Sequence, residues 1–209
     1  MTIYELKSAF QKLLRPLCRL MANAGITANQ VTIAALLISM LVGLLFARNP
    51  SANWVMFLIP VWLFIRMALN AIDGMLAREH NMKSALGGIL NELGDVVADT
   101  ALYLPFALIP GISAWLVVAV VILSVFTEFA GVVAVQAGAS RRYDGPMGKS
   151  DRAFVFGLLA LLLGLDIGPG WWMDAALGLV ALLTAVTVIN RSSKALKELS
   201  EHGHDIPPG

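Results

Sequence analysis

The sequence predicts an all-α membrane protein in which six transmembrane helices follow an amphipathic interfacial helix. Two observations support this fold class. Of the 209 residues, 58% are hydrophobic and 14% are charged, whereas about a quarter of the residues of a soluble domain are charged. In addition, six apolar stretches approach the length of about 20 residues that a helix needs to cross a bilayer.

The first predicted element, residues 1–25, is an amphipathic helix on the membrane surface. Apolar side chains recur at steps of three and four residues from Ile3 to Met21, which is the spacing of one helical face. A basic face beside this apolar stripe favours an interfacial helix over the alternative, a solvated helix packed on the bundle. The basic residues are Lys7, Lys12, Arg15 and Arg19.

The six-helix domain is predicted over residues 26–200. The third apolar stretch is unusual because several polar and charged residues lie within its first turns, and the fifth is the shortest. Residues 201–209 contain two prolines and little apolar content, so a disordered tail is predicted there. The apolar stretches cover residues 32–47, 54–72, 86–109, 114–137, 152–165 and 171–189.

Basic residues are distributed unequally between the two sides of the predicted bundle. With the amino terminus inside, six spans return the carboxyl terminus to the same side. Of the 15 Lys and Arg residues, all except Arg48 then lie in or toward the cytoplasm. Because short cytoplasmic loops collect Lys and Arg, the sequence predicts a multi-pass protein with both termini on the cytoplasmic side.

Charge and cysteine content exclude several classes of protein. The net charge of +1 favours neither a nucleic-acid binder nor another strongly charged partner. The single cysteine, Cys18, excludes an internal disulfide and a cysteine cluster for zinc. No charged segment followed by a short apolar stretch and a cleavage site opens the chain, so no removable signal peptide is expected.

Polar residues cluster at the junction of the second and third predicted spans. An ionisable residue inside a span is costly, so such a residue indicates a functional site. Spacing of three and four places these residues on one face of each of two consecutive helices, which we expect to meet as antiparallel neighbours near the cytoplasmic interface. The polar residues are Asn70 and Asp73 on the first helix, where Ala77 shares their face, and Asn91, Asp95 and Asp99 on the second.

The ligand types in this cluster indicate a metal site for phosphate chemistry. Carboxylate and amide oxygens suit a hard cation such as Mg²⁺ rather than zinc. Gly74 and Ala77 lack bulk where a nucleotide or phosphate would approach the backbone, and Arg78 offers a planar fork for phosphate oxygens. Taken singly, Gly74 is equally well explained as a helix end and Arg78 as a residue at the cytoplasmic edge.

The segment 70–95 resembles the motif of the CDP-alcohol phosphatidyltransferase family, in which DxxDGxxAR is followed by eight residues and GxxxDxxxD. Asn70 and Asn91 carry asparagine where the family has aspartate. The segment TANQVT at residues 27–32 also resembles the family's TPNxxT entry to its first span, with Ala28 in place of proline. Six of the eight motif positions agree, namely Asp73, Gly74, Ala77, Arg78, Gly87 and Asp95.

The resemblance implies an enzyme that transfers the phosphatidyl group of a CDP-linked lipid, such as CDP-diacylglycerol, to the hydroxyl of a small alcohol and releases CMP. It implies Mg²⁺ or Mn²⁺ held by Asn70, Asp73, Asn91 and Asp95, with Asp95 as general base. It also implies a homodimer in contact with membrane lipid, with no nucleic-acid partner. The implied nucleotide-binding residues are Asn29, Thr32, Asp73, Gly74, Ala77, Arg78 and Gly87.

The two asparagines halve the acidic charge expected of the metal site. Because amides replace two of four carboxylates, metal affinity is expected to fall or one metal to be lost. Glu92 and Asp99 are near enough in sequence to compensate. Glu92 lies about 100° round the helix from Asn91, so Asp99 is the predicted additional ligand.

A second group of basic residues lies farther along the chain. Lys149 and Arg152 open the fifth span and Arg191 closes the sixth, where family members often recognise the acceptor. These residues are predicted to bind an anionic, phosphorylated acceptor, with cytoplasmic anchoring as the equally weighted alternative. Glu128, inside the fourth span, is expected either to pair with a basic group or to remain protonated in an apolar setting.

Two other functions remain alternatives. A transporter or channel also uses intramembrane carboxylates, but its site tends to lie near the midplane between repeated halves, whereas these residues gather at one end. A catalytically degenerate relative would bind CDP-lipid or nucleotide without turnover, which the lost aspartates favour and the retained Asp95 opposes. Among acceptors, glycerol phosphate, inositol phosphate and other polyol phosphates fit the basic residues better than a neutral amino alcohol.

Overall fold

Residues 3–201 fold into seven α-helices and one short 3₁₀ helix. The computed structural model describes the backbone of this range and the side chains of residues 9–201, and the described range contains no β-strand. The predicted all-α class is therefore confirmed. The helices are α1 (Ile3–Asn23), α2 (Ala28–Arg48), α3 (Asn53–Glu79), α4 (Ala85–Tyr103), η1 (Leu104–Leu108), α5 (Ala114–Gln136), α6 (Lys149–Gly164) and α7 (Trp171–Glu201).

All six apolar stretches are helical, and the third is formed by α4 followed by η1. Four helices of the described chain, α2, α3, α5 and α7, are long and apolar enough to cross a membrane. Helix α4 falls outside this group because Glu92, Asp95 and Asp99 lie within its 19 residues. Helix α6 falls outside it because it has only 16 residues.

Local hydrogen bonds define where the helices of the polar end begin. Helix α2 begins with a capping box, in which the Thr27 hydroxyl accepts from the Gln30 amide and the Gln30 side chain accepts from the Thr27 amide. Before α4, the Ser84 hydroxyl accepts from the Gly87 amide at 2.9 Å. Before α6, the Gly148 amide donates to Asp151 at 2.8 Å. These caps fix the start of each helix.

Helix α2 is the centre of one half of the bundle. It packs against both α3 and α4, while α3 packs on α6 and α5 packs on α7. The approach of α2 to α4 is close at Gly43, where an added Cβ would overlap the Ala101 carbonyl group. We expected α3 and α4 to be packed neighbours, but α2 lies against both of them, and this leaves room between them at their polar ends.

An aromatic cluster fills the interior of the bundle toward the end away from the starts of α2 and α4. The rings of Tyr103 and Phe156 stack with centroids 4.2 Å apart. Phe106 meets Phe156 and Phe46 edge to face at 5.0 and 4.9 Å. All four side chains are fully buried, so this part of the bundle is rigid and apolar while the starts of α2 and α4 carry the polar groups.

Helix α1 packs on the last turns of α3. Cys18 is buried with Ile72 and Leu76, and Arg15 donates two hydrogen bonds to Glu79 at 2.9 and 3.2 Å. Other apolar side chains of α1 stay exposed, among them Leu13, Leu17 and Leu20. The helix therefore combines packing on the bundle with an unpacked apolar surface.

The predicted disordered tail, residues 201–209, lies outside the described residues except for its first position. Helix α7 continues through Glu201. It is 31 residues long, so it extends well beyond the predicted span 171–189 and carries its last turns out of the apolar region.

Candidate active site

A polar cavity of about 640 Å³ opens at the end of the bundle where α2 and α4 begin and α3 ends. The structure brings all seven predicted nucleotide-binding residues together on its wall, with Asn91 beside them. Other lining residues come from the loop between α3 and α4. The lining residues are Ala28, Asn29, Thr32, Asp73, Gly74, Ala77, Arg78, Met82, Lys83, Ser84, Ala85, Gly87, Gly88, Asn91, Glu92 and Tyr143.

The first turns of α2 and α4 are joined across the cavity by side chains. Asn29 donates to the Ser84 hydroxyl at 3.4 Å. This contact needs a glycine at position 87, because an added Cβ would lie 2.6 Å from Asn29 Oδ1 and 3.0 Å from Ser84 Oγ. Two helix N-termini therefore face the cavity, and such termini favour anionic ligands.

Asp73 is the buried carboxylate on the cavity wall. It is 4% exposed, and its Oδ2 accepts a hydrogen bond of 2.8 Å from the Thr32 hydroxyl. Asn91 lines the same cavity, whereas Asn70 is half-buried and is not among the lining residues. Thr32 thus orients the carboxylate that the sequence motif places at its second acidic position.

Asp95 is not among the residues that line the cavity, but it follows the lining residue Asn91 by one turn of α4 and contacts two basic side chains. The Lys149 ammonium group contacts its Oδ1, and Arg66 Nη2 lies 3.4 Å from the same oxygen. The carboxylate is 21% exposed, so it stays accessible from the polar end. Asp95 is therefore fixed on one oxygen by groups from α3 and α6.

Arg66 is a site residue that the sequence motif did not reveal. It is 3% exposed and donates to Asp99 Oδ1 at 2.5 Å and to the Asp95 carbonyl oxygen at 3.2 Å. Its side chain thereby bridges α3 and α4 where the two helices are separated. One signal was present, because an arginine inside an apolar span needs a buried acidic partner.

Asp99 has different partners from those predicted. We expected it to supply a metal ligand, but Oδ1 accepts from Arg66 and Oδ2 accepts from Arg152 at 3.5 Å. Asp99 is buried and is not among the residues that line the cavity. Glu92 does line it, and both of its oxygens accept from Arg141, at 2.9 and 2.6 Å.

The predicted acceptor residues come together, but each already contacts a carboxylate. Lys149 pairs with Asp95 as described, while Arg152 and Arg191 converge on Glu128. Arg152 is 0% exposed and Arg191 2%. Of the two expectations for Glu128, the structure supports pairing with basic groups.

The loop between α5 and α6 covers this arginine group at the polar end. Asp144 accepts from Lys194 at 2.7 Å through its carboxylate and from Arg191 Nε at 3.4 Å through its carbonyl oxygen. The hydrogen bond from Lys194 holds the pKa of the Asp144 carboxyl below its usual value. Arg142 donates to the Lys194 carbonyl oxygen at 2.8 Å, so the loop is fastened to α7.

The donor set around the cavity fits a hard divalent cation. Asp73 and Asp95 supply carboxylate oxygens and Asn91 supplies an amide oxygen, which are groups that Mg²⁺ and Mn²⁺ accept. The Lys149 ammonium group contacts Oδ1 of Asp95, so Oδ2 is the oxygen of this carboxylate that remains for a metal. Within the described residues, no three Asp, Glu, His or Cys side chains form a metal-binding group, so amide oxygens are needed to complete a coordination shell.

Comparison with known proteins identifies the family. A model of the CDP-alcohol phosphatidyltransferase family matches residues 25–190. The inner membrane protein YnbA of Escherichia coli (strain K12) is 46% identical over 199 residues, which are 94% of this chain and 97% of that protein. A phosphatidylinositol phosphate synthase of Mycobacteroides abscessus is 27% identical over 189 residues, which are 88% of this chain and 84% of that protein.

The fold is similar to crystal structures of phosphatidylinositol phosphate synthase from Mycobacterium tuberculosis. The structure with CDP-DAG bound has a TM-score of 0.72 and 18% identity, and the match covers 88% of this chain and 94% of that chain. The structure in complex with manganese and citrate has a TM-score of 0.71 and 19% identity, and covers 87% and 88%. At these identities the similarity establishes the fold.

Four apolar helices and the relationship to an inner membrane protein make this a multi-pass integral membrane protein. The family model covers most of the chain and includes every motif position. The resemblance stated from the sequence is thereby confirmed, and the chain belongs to the CDP-alcohol phosphatidyltransferase family.

Proposed function

We propose that the protein transfers the phosphatidyl group of CDP-diacylglycerol, or of a similar CDP-linked lipid, to the hydroxyl of a small alcohol. The observation that carries this proposal is the cavity on which all seven predicted nucleotide-binding residues meet. Its volume of about 640 Å³ lies within the usual range of ligand pockets. The related M. tuberculosis structure with CDP-DAG bound supports the choice of donor.

The donor's cytidine diphosphate would lie at the starts of α2 and α4. The amide groups of both helix N-termini favour its negative charge, and Arg78 and Lys83 on the wall add positive charge. The side chains of Gly74, Ala77 and Gly87 are small, so the diphosphate can approach the backbone of the cavity wall. The lipid chains would leave the cavity along the apolar surface of the helices.

Asp73, Asn91, Asp95 and Asn70 are the residues that would hold Mg²⁺ or Mn²⁺ at this diphosphate. A bound divalent cation would neutralise the negative charge of the diphosphate and the additional negative charge that develops during the transfer. The related structure in complex with manganese supports a divalent ion. With two carboxylates and two amides, the set has half the acidic charge of the family motif, so we propose weaker metal binding or a single metal.

Asp95 is the proposed general base. In the transfer, the acceptor oxygen forms a bond to the lipid-bearing phosphorus, and the bond from that phosphorus to the CMP oxygen breaks. The hydroxyl proton moves to Asp95, whose Oδ1 is engaged by Lys149 and Arg66, so Oδ2 is the oxygen assigned to take it. A positioned carboxylate typically contributes about 10² to 10⁴ in rate.

Asp99 has a structural role in this proposal. Its two oxygens hold Arg66 and Arg152, so metal ligation by Asp99 would require one of these buried arginines to lose its partner. An Asp99→Ala variant is expected to need the same Mg²⁺ concentration for half-maximal activity as the wild type. A clearly raised Mg²⁺ requirement would restore the metal-ligand role predicted from the sequence.

The proposed topology keeps six membrane crossings, by α2 to α7, with the site and both termini at the cytoplasmic face. The charged residues of α4 are compatible with a span because Asp95 and Asp99 are paired with basic groups inside the bundle. The exposed leucines of α1 support an interfacial position for residues 1–25. Homodimer formation is proposed from the family alone, and the domain limits stay at 26–200.

A binding-only relative is the second candidate function. The absence of a group of three metal-binding acidic, His or Cys side chains in the described chain favours it. In that case the cavity would bind CDP-lipid or nucleotide without turnover. A transporter is less well supported, because the open polar cavity lies at one end of the bundle, between the starts and ends of helices.

CMP release by the purified protein tests the proposal. The assay uses CDP-diacylglycerol, Mg²⁺ or Mn²⁺ and a panel of phosphorylated and unphosphorylated alcohols, with EDTA as the metal-free control. The proposal expects CMP and a new phospholipid in equal amounts, with no CMP when EDTA is present. Nucleotide binding without CMP release for any acceptor would establish the binding-only function instead.

A further inference from the structure

Arg152 and Arg191 lie in a closed group beside the cavity. Their side chains are 0% and 2% exposed, and neither residue is among those that line the cavity. An anion that arrives from the cavity therefore meets other side chains before it meets either guanidinium group. Two buried guanidinium groups need an anionic partner.

The Glu128 carboxylate occupies the place between the two guanidinium groups. Its Oε1 accepts from Arg152 Nη2 at 3.2 Å, and its Oε2 lies 3.4 Å from Arg191 Nη1. Arg141 donates to the same Oε2 at 3.1 Å. One carboxylate from α5 thus bridges three arginines, which come from the loop between α5 and α6, from α6 and from α7. An oxyanion of a ligand would make the same contacts.

The residue before Glu128 fixes the same two arginines. The Thr127 hydroxyl accepts from Arg152 at 3.1 Å, and the Thr127 carbonyl oxygen accepts from Arg191. Buried charges are tolerated only when they are paired and hydrogen-bonded. Both arginines therefore stay directed at this turn of α5 unless another anion takes the place of Glu128.

The connection from this group to the cavity also holds a carboxylate. Arg141 donates two hydrogen bonds to Glu92, which lines the cavity, and its guanidinium lies 5.1 Å from the ring centroid of Tyr143. A phosphate that entered here would meet the carboxylates of Glu92 and Glu128, and like charges held close together repel each other. A neutral hydroxyl group meets no such repulsion.

We infer that Glu128 is the resident anion of the Arg152 and Arg191 site, and that the acceptor is therefore an alcohol without a phosphate group. That an acceptor alcohol binds at all rests on the proposed function. The inference reverses the preference for polyol phosphates that the basic residues alone suggested. Glu128 is thus a specificity-determining residue, because its charge decides whether the arginines can bind a phosphate.

Anion binding tests the inference without any turnover. Wild-type protein and Glu128→Gln are titrated with inorganic phosphate and with glycerol 3-phosphate, and the unfolding temperature in detergent is followed. The amide keeps the shape of the side chain but frees positive charge. The variant should bind both anions at least about tenfold more tightly than the wild type and be stabilised by them.

Asp174→Asn is the matched control for the change in net charge. Asp174 accepts from the Ser113 amide and hydroxyl near the other end of α7, about 25 Å along the helix from Arg191. The phosphate affinity of Asp174→Asn should equal that of the wild type. Equal gains in both variants would show a general charge effect and overturn the inference.

Glu128→Gln leaves part of the buried arginine charge unpaired and can therefore destabilise the protein. A measurement on the wild type is needed as well. If the variant does not fold, phosphate titration of the wild type decides: no saturation supports a resident anion, and saturable binding that Arg191→Met removes overturns it. If the variant folds but gains no phosphate affinity, the inference is also overturned.

Acceptor preference supplies the last arm of the test. Wild-type CMP release should be faster by about tenfold or more in kcat/KM with unphosphorylated alcohols than with their phosphates, and Glu128→Gln should shift this ratio toward the phosphates. A wild-type preference for phosphorylated alcohols overturns the inference. No CMP release with any acceptor would instead count against the proposed function, while the anion titrations still decide the role of Glu128.

Discussion

The open cavity and the closed arginine group lie side by side at one end of the bundle, but their charged side chains have different partners. Asp73 on the cavity wall is held by a neutral hydroxyl, and the volume beside it is about 640 Å³. In the closed group, Glu128 pairs with Arg141, Arg152 and Arg191. The cavity can therefore take up a charged ligand, whereas each arginine of the closed group already contacts a carboxylate.

This difference separates the two halves of the proposed reaction. A nucleotide diphosphate and its metal bring their own charges, so they need a space lined by oxygens and helix N-termini. An acceptor alcohol that lacks a phosphate needs no unpaired arginine. Substitutions in the cavity and substitutions in the closed group should therefore have effects of different kinds.

The largest expected effect follows from Asp95→Asn. Asparagine can still accept hydrogen bonds from Lys149 and Arg66 through its amide oxygen, but it cannot take a proton from the acceptor. CMP release should fall by about 10² to 10⁴, while CDP binding, measured by titration, changes much less. Activity that survives this substitution would remove Asp95 from the role of base.

A substitution in the closed group should act on stability. Arg152→Met leaves Asp99 and Glu128 with one arginine fewer in a buried setting, so unfolding in detergent should become easier by about 3 to 5 kcal/mol. The control is Lys197→Met, because Lys197 is 76% exposed and its pair with Glu201 is 3.8 Å long. That variant should stay within about 0.5 kcal/mol of the wild type.

If Arg152→Met were as stable as the wild type and had lost only CMP release, the closed group would be part of the substrate site. Such a result would remove the distinction between the two regions. It would also favour the role in acceptor binding that the sequence predicts for Arg152.

Much of the cavity could be predicted from the sequence because most of its residues belong to two short segments, 27–32 and 70–95. Positions 70–95 follow helical spacing and match a family motif, so their faces could be assigned before the fold was known. The closed group has no such pattern. Arg152 is 24 residues from Glu128 and 53 from Asp99, and contacts between helices that far apart depend on how the bundle packs.

The same reason explains the change in the interpretation of Asp99. Its spacing places it on the face of Asn91 and Asp95, which suggested a third metal ligand. The spacing could not show that α2 lies against both α3 and α4, or that Arg66 extends across the space between them. All six apolar stretches were correctly predicted as helical segments, since composition and period are also local properties.

A finer test of the cavity uses two adjacent glycines of α4. At Gly87 an added Cβ would lie 2.6 Å from Asn29 Oδ1, whereas at Gly88 nothing lies within 4 Å. Gly87→Ala should push Asn29 and Ser84 apart and weaken CDP binding by about tenfold, which corresponds to about 1.4 kcal/mol. Gly88 also lines the cavity, so Gly88→Ala is the control for added bulk on the same wall and should weaken CDP binding less than Gly87→Ala.

Equal weakening in both glycine variants would show that the helix start, rather than the contact with Asn29, determines nucleotide affinity. Equal binding by both would place the nucleotide elsewhere. Only the second result would contradict the assignment of the open cavity to the donor, because Gly87 and Gly88 both line that cavity.

The smallest expected effect is at the outer edge of the closed group, where Asp144 pairs with Lys194 at 2.7 Å. Lys194 is 56% exposed, so solvent weakens the pair and Asp144→Asn should cost less than about 1 kcal/mol at pH 7. The pKa of Asp144 is lowered in the folded protein, so its contribution is present above the unfolded pKa of about 3.9 and is lost as the pH falls through the lower folded value. Thermal unfolding of both proteins at pH 7 and below pH 4 should show their difference shrinking toward zero, and a difference that grows in acid would mean that the carboxylate does not stabilise the loop.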